Sequence, residues 1–406
     1  MQEKLDRRAI LLIIAAAAIL MITMGMRQSL GLYIAPIIDS THVGYAAMSF
    51  ALAVGQLAWG LAQPTFGALA DRYGAYRTLL AGALMMALGS ALTPFAHNEY
   101  ALIATIGMLT AAGAGAGSFG VLIGVVSQRA PPGKRSVAAG FVNAGGSLGQ
   151  FVFAPLNQWL ISGITWMGAM WTMAVTSLAT IPLARLLTRS ADDHAASAPH
   201  AVSALTLREQ LRIAMRDKSY WCLHLGFFTC GFHIAFLVTH LPGEVKLCSL
   251  PAAVAASSIS IIGLANVAGS IWAGWAGGVF RMKYLLFFNY LSRAAIIAVY
   301  LAAPKTALTF YLLAAALGFT WLATVPPTAG LIGKLFGVRY LATLFGLCTF
   351  THQVGAFFGA WLGGIALVKF GDYSWMWYAD MALATFAAFI NLPIREAKLR
   401  AAVATA

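Results

Sequence analysis

Along the chain, apolar residues come in long unbroken blocks separated by short polar turns. Strand-like two-residue alternation is absent. A helix needs roughly 20 apolar residues to cross the ~30 Å hydrocarbon layer of a bilayer. Twelve such spans can be placed, at about 9–38, 45–70, 76–96, 99–128, 136–162, 165–188, 220–246, 252–279, 283–303, 306–334, 339–368 and 373–394. In lipid, backbone polar groups must be satisfied within the segment, which a helix does by itself. A barrel would show short alternating strands. The predicted fold is therefore an all-α membrane protein with twelve transmembrane helices. The first span is too long, and too continuous with the residues after it, for a cleaved signal peptide.

The pattern breaks once, at 189–218. Residues 190–200 are small and polar, like a flexible linker, and 207–218 form a basic amphipathic run suited to lying on a membrane surface. Six spans precede this stretch and six come after it. The chain thus divides into bundles at 1–188 and 219–406, with a substrate site expected where they meet.

Composition agrees with lipid as the solvent: 60% of the 406 residues are hydrophobic and 10% charged. The net charge of +13 has a membrane explanation. All 26 Lys and Arg residues except Lys246, Lys305, Lys369, Arg27 and Arg293 fall on the side that carries both termini. The positive-inside rule then makes the termini cytoplasmic, and nucleic acid need not be invoked. The basic face suits anionic headgroups. Cys222, Cys230, Cys248 and Cys348 have neither paired nor metal-ligand spacing, and no metal or cofactor is expected.

One turn carries a dense set of charges between two apolar spans: Gly67-Ala-Leu-Ala-Asp71-Arg72-Tyr-Gly74-Ala-Tyr-Arg77. Its spacing resembles the loop between helices 2 and 3 of the major facilitator superfamily. A worn copy stands at the matching place in the second half, Gly274-Trp-Ala-Gly-Gly278-Val-Phe-Arg281-Met-Lys283, with Gly278 where the acid would be. The resemblance implies two pseudo-symmetric six-helix bundles that rock about a central site, normally as a monomer. It also implies that Asp71, Arg72 and Arg77, with Gly67 and Gly74, form a conformational latch rather than a substrate site. The alternative is that these bases are only membrane-surface anchors.

Polar residues inside spans are costly and favour protein interiors or wet cavities. Here they recur on single helical faces: Gln56 and Gln63 with Trp59 between them; Asn143, Gln150 and Asn157; Thr229, His233 and His240; Asn266 and Ser270; Thr349, His352 and Gln353. Together they read as a cavity lining, although each could be interhelical glue. Charge is sparser. Arg27 lies in the half of span 1 away from the terminus, Arg293 in span 9 and Asp380 in span 12. The last two are expected to form a structural ion pair. Arg27 then has no carboxylate of its own, and a guanidinium suits an anionic substrate; its alternative is to snorkel or cap carbonyls. With no acid among the cavity candidates, His233, His240 and His352 are the carriers if protons are coupled. A proton carried by the substrate itself through Arg27 is the other route.

Pieces along nearly the whole chain, among them Arg27-Gln-Ser-Leu-Gly-Leu-Tyr-Ile-Ala-Pro, Trp59-Gly-Leu-Ala-Gln-Pro-Thr-Phe-Gly67, Thr239-His-Leu-Pro242, Asn266-Val-Ala-Gly-Ser270 and Thr351-His-Gln-Val-Gly355, resemble the bacterial monocarboxylate-transporter-like branch. Span 1 lacks the acidic-glycine-aromatic opening of the animal members and span 8 lacks their Asp-Arg pair. Arg27 and Gln28 lie near the position where those members place an essential lysine. The resemblance implies a secondary transporter of small organic anions, monocarboxylates first, with Arg27 holding the carboxylate and Gln56, Gln150, Asn157, His233, Asn266, His352 and Gln353 shaping selectivity. The rival within transport is a carrier of larger amphipathic molecules, drugs or siderophores. No metal cluster or nucleophile–base pair supports an enzyme.

Overall fold

A computed structural model of the chain describes residues 7–129, 135–188, 206–337 and 340–396. The spans are α1 (Ala9–Thr41), α2 (Tyr45–Tyr73), α3 (Ala75–Leu92), α4 (Glu99–Val126), α5 (135–163), α6 (166–188), α7 (Lys218–Leu247), α8 (Ala252–Val279), α9 (Met282–Ala302), α10 (Ala307–Phe336), α11 (Leu341–Phe370) and α12 (Ser374–Ile390). α5 and α6 run into one another, but Ile164 and Thr165 leave helical geometry (Thr165 at φ 67°) and mark the turn between two crossings. α12 is short at 17 residues, the lower limit for a span. The twelve expected crossings are all present. Of the linker region, 189–205 lie outside the described residues. Beyond them Leu207–Arg216 forms the expected amphipathic helix, started by a capping box in which Thr206 and Glu209 satisfy each other's backbone N–H.

Two sixfold sets pack by the same rule. In lipid, apolar surface gives little drive for helices to associate, so close backbone approach at small residues supplies the contact. Gly149 of α5 lies so near α1 that a Cβ there would fall 2.2 Å from the Met21 carbonyl oxygen. Gly359 of α11 meets the Phe232 carbonyl of α7 at the same 2.2 Å. Since α1 and α5 correspond to α7 and α11 after a shift of six helices, the repeat is visible in the packing itself.

α4 and α10, also equivalent, are both interrupted. α4 passes through a wide π turn at Ile103–Thr110 and breaks at Gly117 and Ser118, where Thr23 of α1 donates to the Gly117 carbonyl at 3.0 Å. α10 breaks over 321–324, just before Pro326 and Pro327, which have no N–H to continue the ladder. The loose groups are recaptured by side chains. Arg293 donates to the carbonyls of Thr320 and Trp321, the latter at 2.8 Å, and the Leu322 N–H donates to Asn266 Oδ1 at 3.0 Å. A broken helix in a membrane is tolerated only when its backbone groups are satisfied in this way.

The acid missing at Gly278 is supplied from elsewhere. Glu396, beyond α12, accepts the N–H groups of Met282 and Lys283 at 3.1 Å each and pairs with Lys334 at 2.7 Å. It thereby caps the positive end of α9, while Lys283 Nζ donates to the carbonyls of Leu392 and Ile394. Burial pushes the Glu396 carboxyl up, but the hydrogen bonds from Lys334, Lys283 and Met282 outweigh it and hold the group below its ordinary value. A depressed carboxylate stabilises the fold fully above its unfolded value, and that contribution fades as pH falls through the folded value. Glu396→Gln is therefore expected to lower the unfolding midpoint at neutral pH. Below the carboxylate range the difference from wild type should vanish, and a gap that persisted there in a melting series would contradict the cap.

Candidate functional site

Arg27 is an intramembrane arginine placed where both sets of helices meet. α1 carries it partway across the bilayer, just before the helix tightens to a 3-10 turn at Leu30–Tyr33. Its guanidinium donates to Gln56 Oε1 and lies over the Trp59 ring, 4.2 Å from the centroid. Gln56 and Trp59 are three residues apart on α2 and share a face. No carboxylate among the described residues pairs with Arg27. Leu30, Leu52 and Ile106 surround it from the first set, and Val238 and Thr239 of α7 from the second. The space between them takes a water-sized sphere and little more.

The two sets touch on the side away from the termini, and toward the termini the contacts among the described residues give way to open positions. At the far side Gly31 of α1 abuts the Val238 carbonyl, and a Cβ there would fall 2.2 Å from its oxygen. Tyr45 of α2 stands 3.1 Å from His240 Nδ1 and 2.6 Å from the Tyr373 hydroxyl. Across the middle, Asn266 of α8 donates to Ser147 of α5 at 2.9 Å, and Gly60 of α2 meets the Gln353 side chain. One heptad nearer the termini on those same faces, Gly67 and Gly346 have nothing within 4 Å of where a Cβ would sit; Gly140 and Gly274 are equally open.

The far-side hydrogen bonds fix a tautomer. His240 Nε2 lies 2.7 Å from the Ala360 carbonyl, which can only accept, so Nε2 holds the hydrogen and Nδ1 accepts from Tyr45. Removing the Tyr45 hydroxyl costs about 0.5–1.5 kcal/mol of closure, a shift of roughly two- to tenfold in the equilibrium. Tyr45→Phe should accordingly raise labelling of a far-side cysteine probe by an impermeant maleimide, and unchanged labelling would remove Tyr45 from the closure.

Of the residues expected to line a cavity, the structure brings Arg27 and Gln56 together. Gln150 is fully buried against Gly263 with both amide atoms unpartnered, and Gln353 lies buried at the α2–α11 crossing with its Oε1 unpartnered. His352 is half-buried, with Nδ1 3.0 Å from Gln353 Nε2. Three other expected residues are hydrogen-bonded within the protein. Asn157 is engaged within its own set, accepting from Tyr33 and donating to the Phe153 carbonyl. Asn266 is used up between Ser147 and Leu322. His233 faces Asp380, 2.5 Å away, inside the second set. Arg293 is hydrogen-bonded to the α10 carbonyls and Asp380 to His233, while the Asp380 charge acts on Arg293 without a direct contact among the described residues. His240 is committed to the far-side contact.

In the charged turn, Gly74 adopts φ 89°, which explains a glycine there, and Arg72 lies over the Tyr73 ring at 5.2 Å. The Asp71 side chain lies outside the described residues, as do those of Arg129, Lys134 and Arg135. Sequence reasoning overlooked Glu244, a second buried acid, which accepts from Tyr300 at 2.6 Å near the far end of α7. It also saw Trp59 only as a cavity residue; its three-residue offset from Gln56 was the available sign that both could engage one cation.

The sequence model of the Major Facilitator Superfamily matches residues 11–360. The chain belongs to that superfamily. Among curated relatives it is 27% identical over 357 residues to monocarboxylate transporter 13 of Rattus norvegicus, covering 86% of this chain and 80% of that one. It is 25% identical over 373 residues to the oxalate:formate antiporter of Oxalobacter formigenes, covering 90% and 87%. In fold it is similar to a D-xylose-proton symporter, with a TM-score of 0.72 at 15% identity over 96% of this chain and 98% of the other. Members of this superfamily carry small solutes across membranes, and the protein is a multi-pass membrane transporter of that kind.

Proposed function

We propose that the protein is a secondary transporter of small organic anions, monocarboxylates in particular, working by rocking of residues 1–188 against 219–406 about Arg27. The observation that carries this is a guanidinium at the meeting of the two sets, held by an amide and an aromatic face but by no carboxylate. Gln56 and Trp59 neutralise none of its charge; they orient it. A monoanion entering between the sets would complete the pairing bidentately. Two relatives whose names specify monocarboxylates, or oxalate and formate, support the same chemistry.

With the basic side cytoplasmic in a bacterial inner membrane, the separated side of the molecule faces the cytoplasm. The structure then corresponds to an inward-facing step, closed outside by Gly31, Tyr45 and His240. Gln150 and Gln353, whose buried atoms lack partners, are the best placed of the remaining polar groups to meet the rest of the substrate as the site opens. Asp71, Arg72 and Arg77 would set the balance between the two facing states. The reading is tested with labelled acetate, pyruvate and lactate in proteoliposomes, alongside a cationic dye such as ethidium. Anion uptake without dye uptake is the expected result, and dye transport with no anion transport would favour the amphipathic-substrate alternative.

A further inference from the structure

Away from the Arg27 pocket, the second set holds a buried polar cluster that anion binding does not use. His233 of α7 and Asp380 of α12 are 1% and 0% exposed, with Nδ1 2.5 Å from Oδ2. An ionised carboxylate only accepts, so Nδ1–H donates and the lone pair of the neutral ring stays on Nε2. Nε2 has no partner, and neither has Asp380 Oδ1. The two atoms able to take up a proton are thus the two left bare, where bare polar atoms are expensive and call for an explanation.

The surroundings fix the charge of the pair. Arg293 of α9, fully buried, provides a permanent positive charge; it reaches Cys230 Sγ of α7 at 3.3 Å and stacks on Tyr290 at 5.2 Å. From α11, His352 acts on Cys230, and Cys348 is the other titratable group in the neighbourhood. α10 contributes only Thr320, Thr324 and Trp321, whose ring lies 6.1 Å from that of His233. With Asp380 ionised and His233 neutral, the Arg293–Asp380–His233 group has no net charge. One added proton makes it +1.

Asp380 acts on Arg293 through its charge rather than by contact, and from Arg293 a continuous set of hydrogen bonds leads to the other half of the molecule. Arg293 holds the Thr320 and Trp321 carbonyls at the α10 break; the next N–H, of Leu322, is held by Asn266; and Asn266 donates to Ser147 on α5. We propose that the His233–Asp380 pair is a proton-binding site separate from the anion pocket, and that its charge biases the contact between the halves through Arg293 and the α10 break. Proton uptake by the pair offsets the Asp380 charge that acts on the Arg293 guanidinium. That change alters the hold of Arg293 on α10 and, through Asn266, the crossing of α8 on α5. The proposal rests on the transporter reading for what is coupled, but its site can be tested without a substrate.

Spin labels on Gly67→Cys and Gly346→Cys, in a background without the native cysteines other than Cys230, report the termini-side separation of α2 and α11. Pulsed distance measurements on the full chain in lipid at about pH 5 and about pH 8 are expected to show the ratio of near to far populations changing by about threefold or more. In His233→Gln and in Asp380→Asn that change should fall to within error. No pH response in the parent, or a full response in either variant, overturns the proposal. Should Asp380→Asn fail to fold, His233→Gln decides, because glutamine retains an N–H donor of similar reach. Labelled-pyruvate uptake in the same preparations separates the two readings: a pH-responsive protein with no anion transport leaves the proton site standing and sinks the anion reading.

Discussion

Arg27→Ala is expected to abolish saturable anion uptake in proteoliposomes, or to raise the half-saturating concentration by roughly 10- to 150-fold, the equivalent of about 1.5–3 kcal/mol for a hydrogen bond to a charged group. Its Nη2 group is spent on Gln56 and one face of the guanidinium on Trp59, and the side chain lines the small space between the sets. Without the guanidinium the site keeps amides and aromatic rings but no positive charge. Arg27→Lys retains the charge yet loses the planar fork and the stacking, so it should fall between wild type and alanine. Size-exclusion behaviour and melting of the purified variants check that the fold is retained. Wild-type kinetics in Arg27→Ala would move the anion site elsewhere.

The second large effect is expected at Gly31. Any side chain there places its Cβ about 2.2 Å from the Val238 oxygen and 2.9 Å from that of Thr239, both on the opposing set. Because these contacts exist only while the far side is shut, Gly31→Val should act on the cycle rather than on the folded bundle. An overpacking cost of about 1–3 kcal/mol against closure corresponds to roughly a five- to 150-fold shift toward the far-open state. Transport should fall by a comparable factor. A cysteine at Ser49, buried against Gly364 in the closed form, should become reactive to an impermeant maleimide applied from the far side. A variant that transports normally with the cysteine still protected would show that this contact is not the closure.

The architecture was legible in the sequence to a greater depth than the site. Twelve spans can be read from length and hydropathy because a bilayer imposes both; the α5–α6 turn and the start of α12 fall within two residues of the expected positions, and the ends of α3 and α12 lie four residues earlier than expected. Arg27 could be singled out because an unpaired intramembrane base has few physical excuses. The polar stripes were less informative, since a repeating face tells that a residue points inward but not toward which neighbour. Asn157, His233 and Asn266 each hydrogen-bond to protein in the structure, His233 through Nδ1 alone. The role of Arg293 was out of reach for a related reason: its partners are backbone carbonyls, freed only because α10 breaks. Pro326 and Pro327 were the visible sign of that break, and the hydrogen bond from His233 to Asp380 had no comparable sign in the sequence. Glu396 escaped notice because it stands far along the chain from the turn it caps.

That displaced carboxylate has a consequence for modularity. In the first copy the acid of the charged turn is encoded within the turn itself, at Asp71; in the second it arrives from residue 396, after the last crossing. The two copies have therefore ceased to be interchangeable parts. A chain permuted so that α7–α12 came first, or a hybrid in which a foreign tail came directly after α12, would retain every membrane-spanning segment and still lose the cap on α9. The short segment after the final helix belongs to the machinery, and a fusion placed there should begin beyond Glu396 rather than at the last apolar residue.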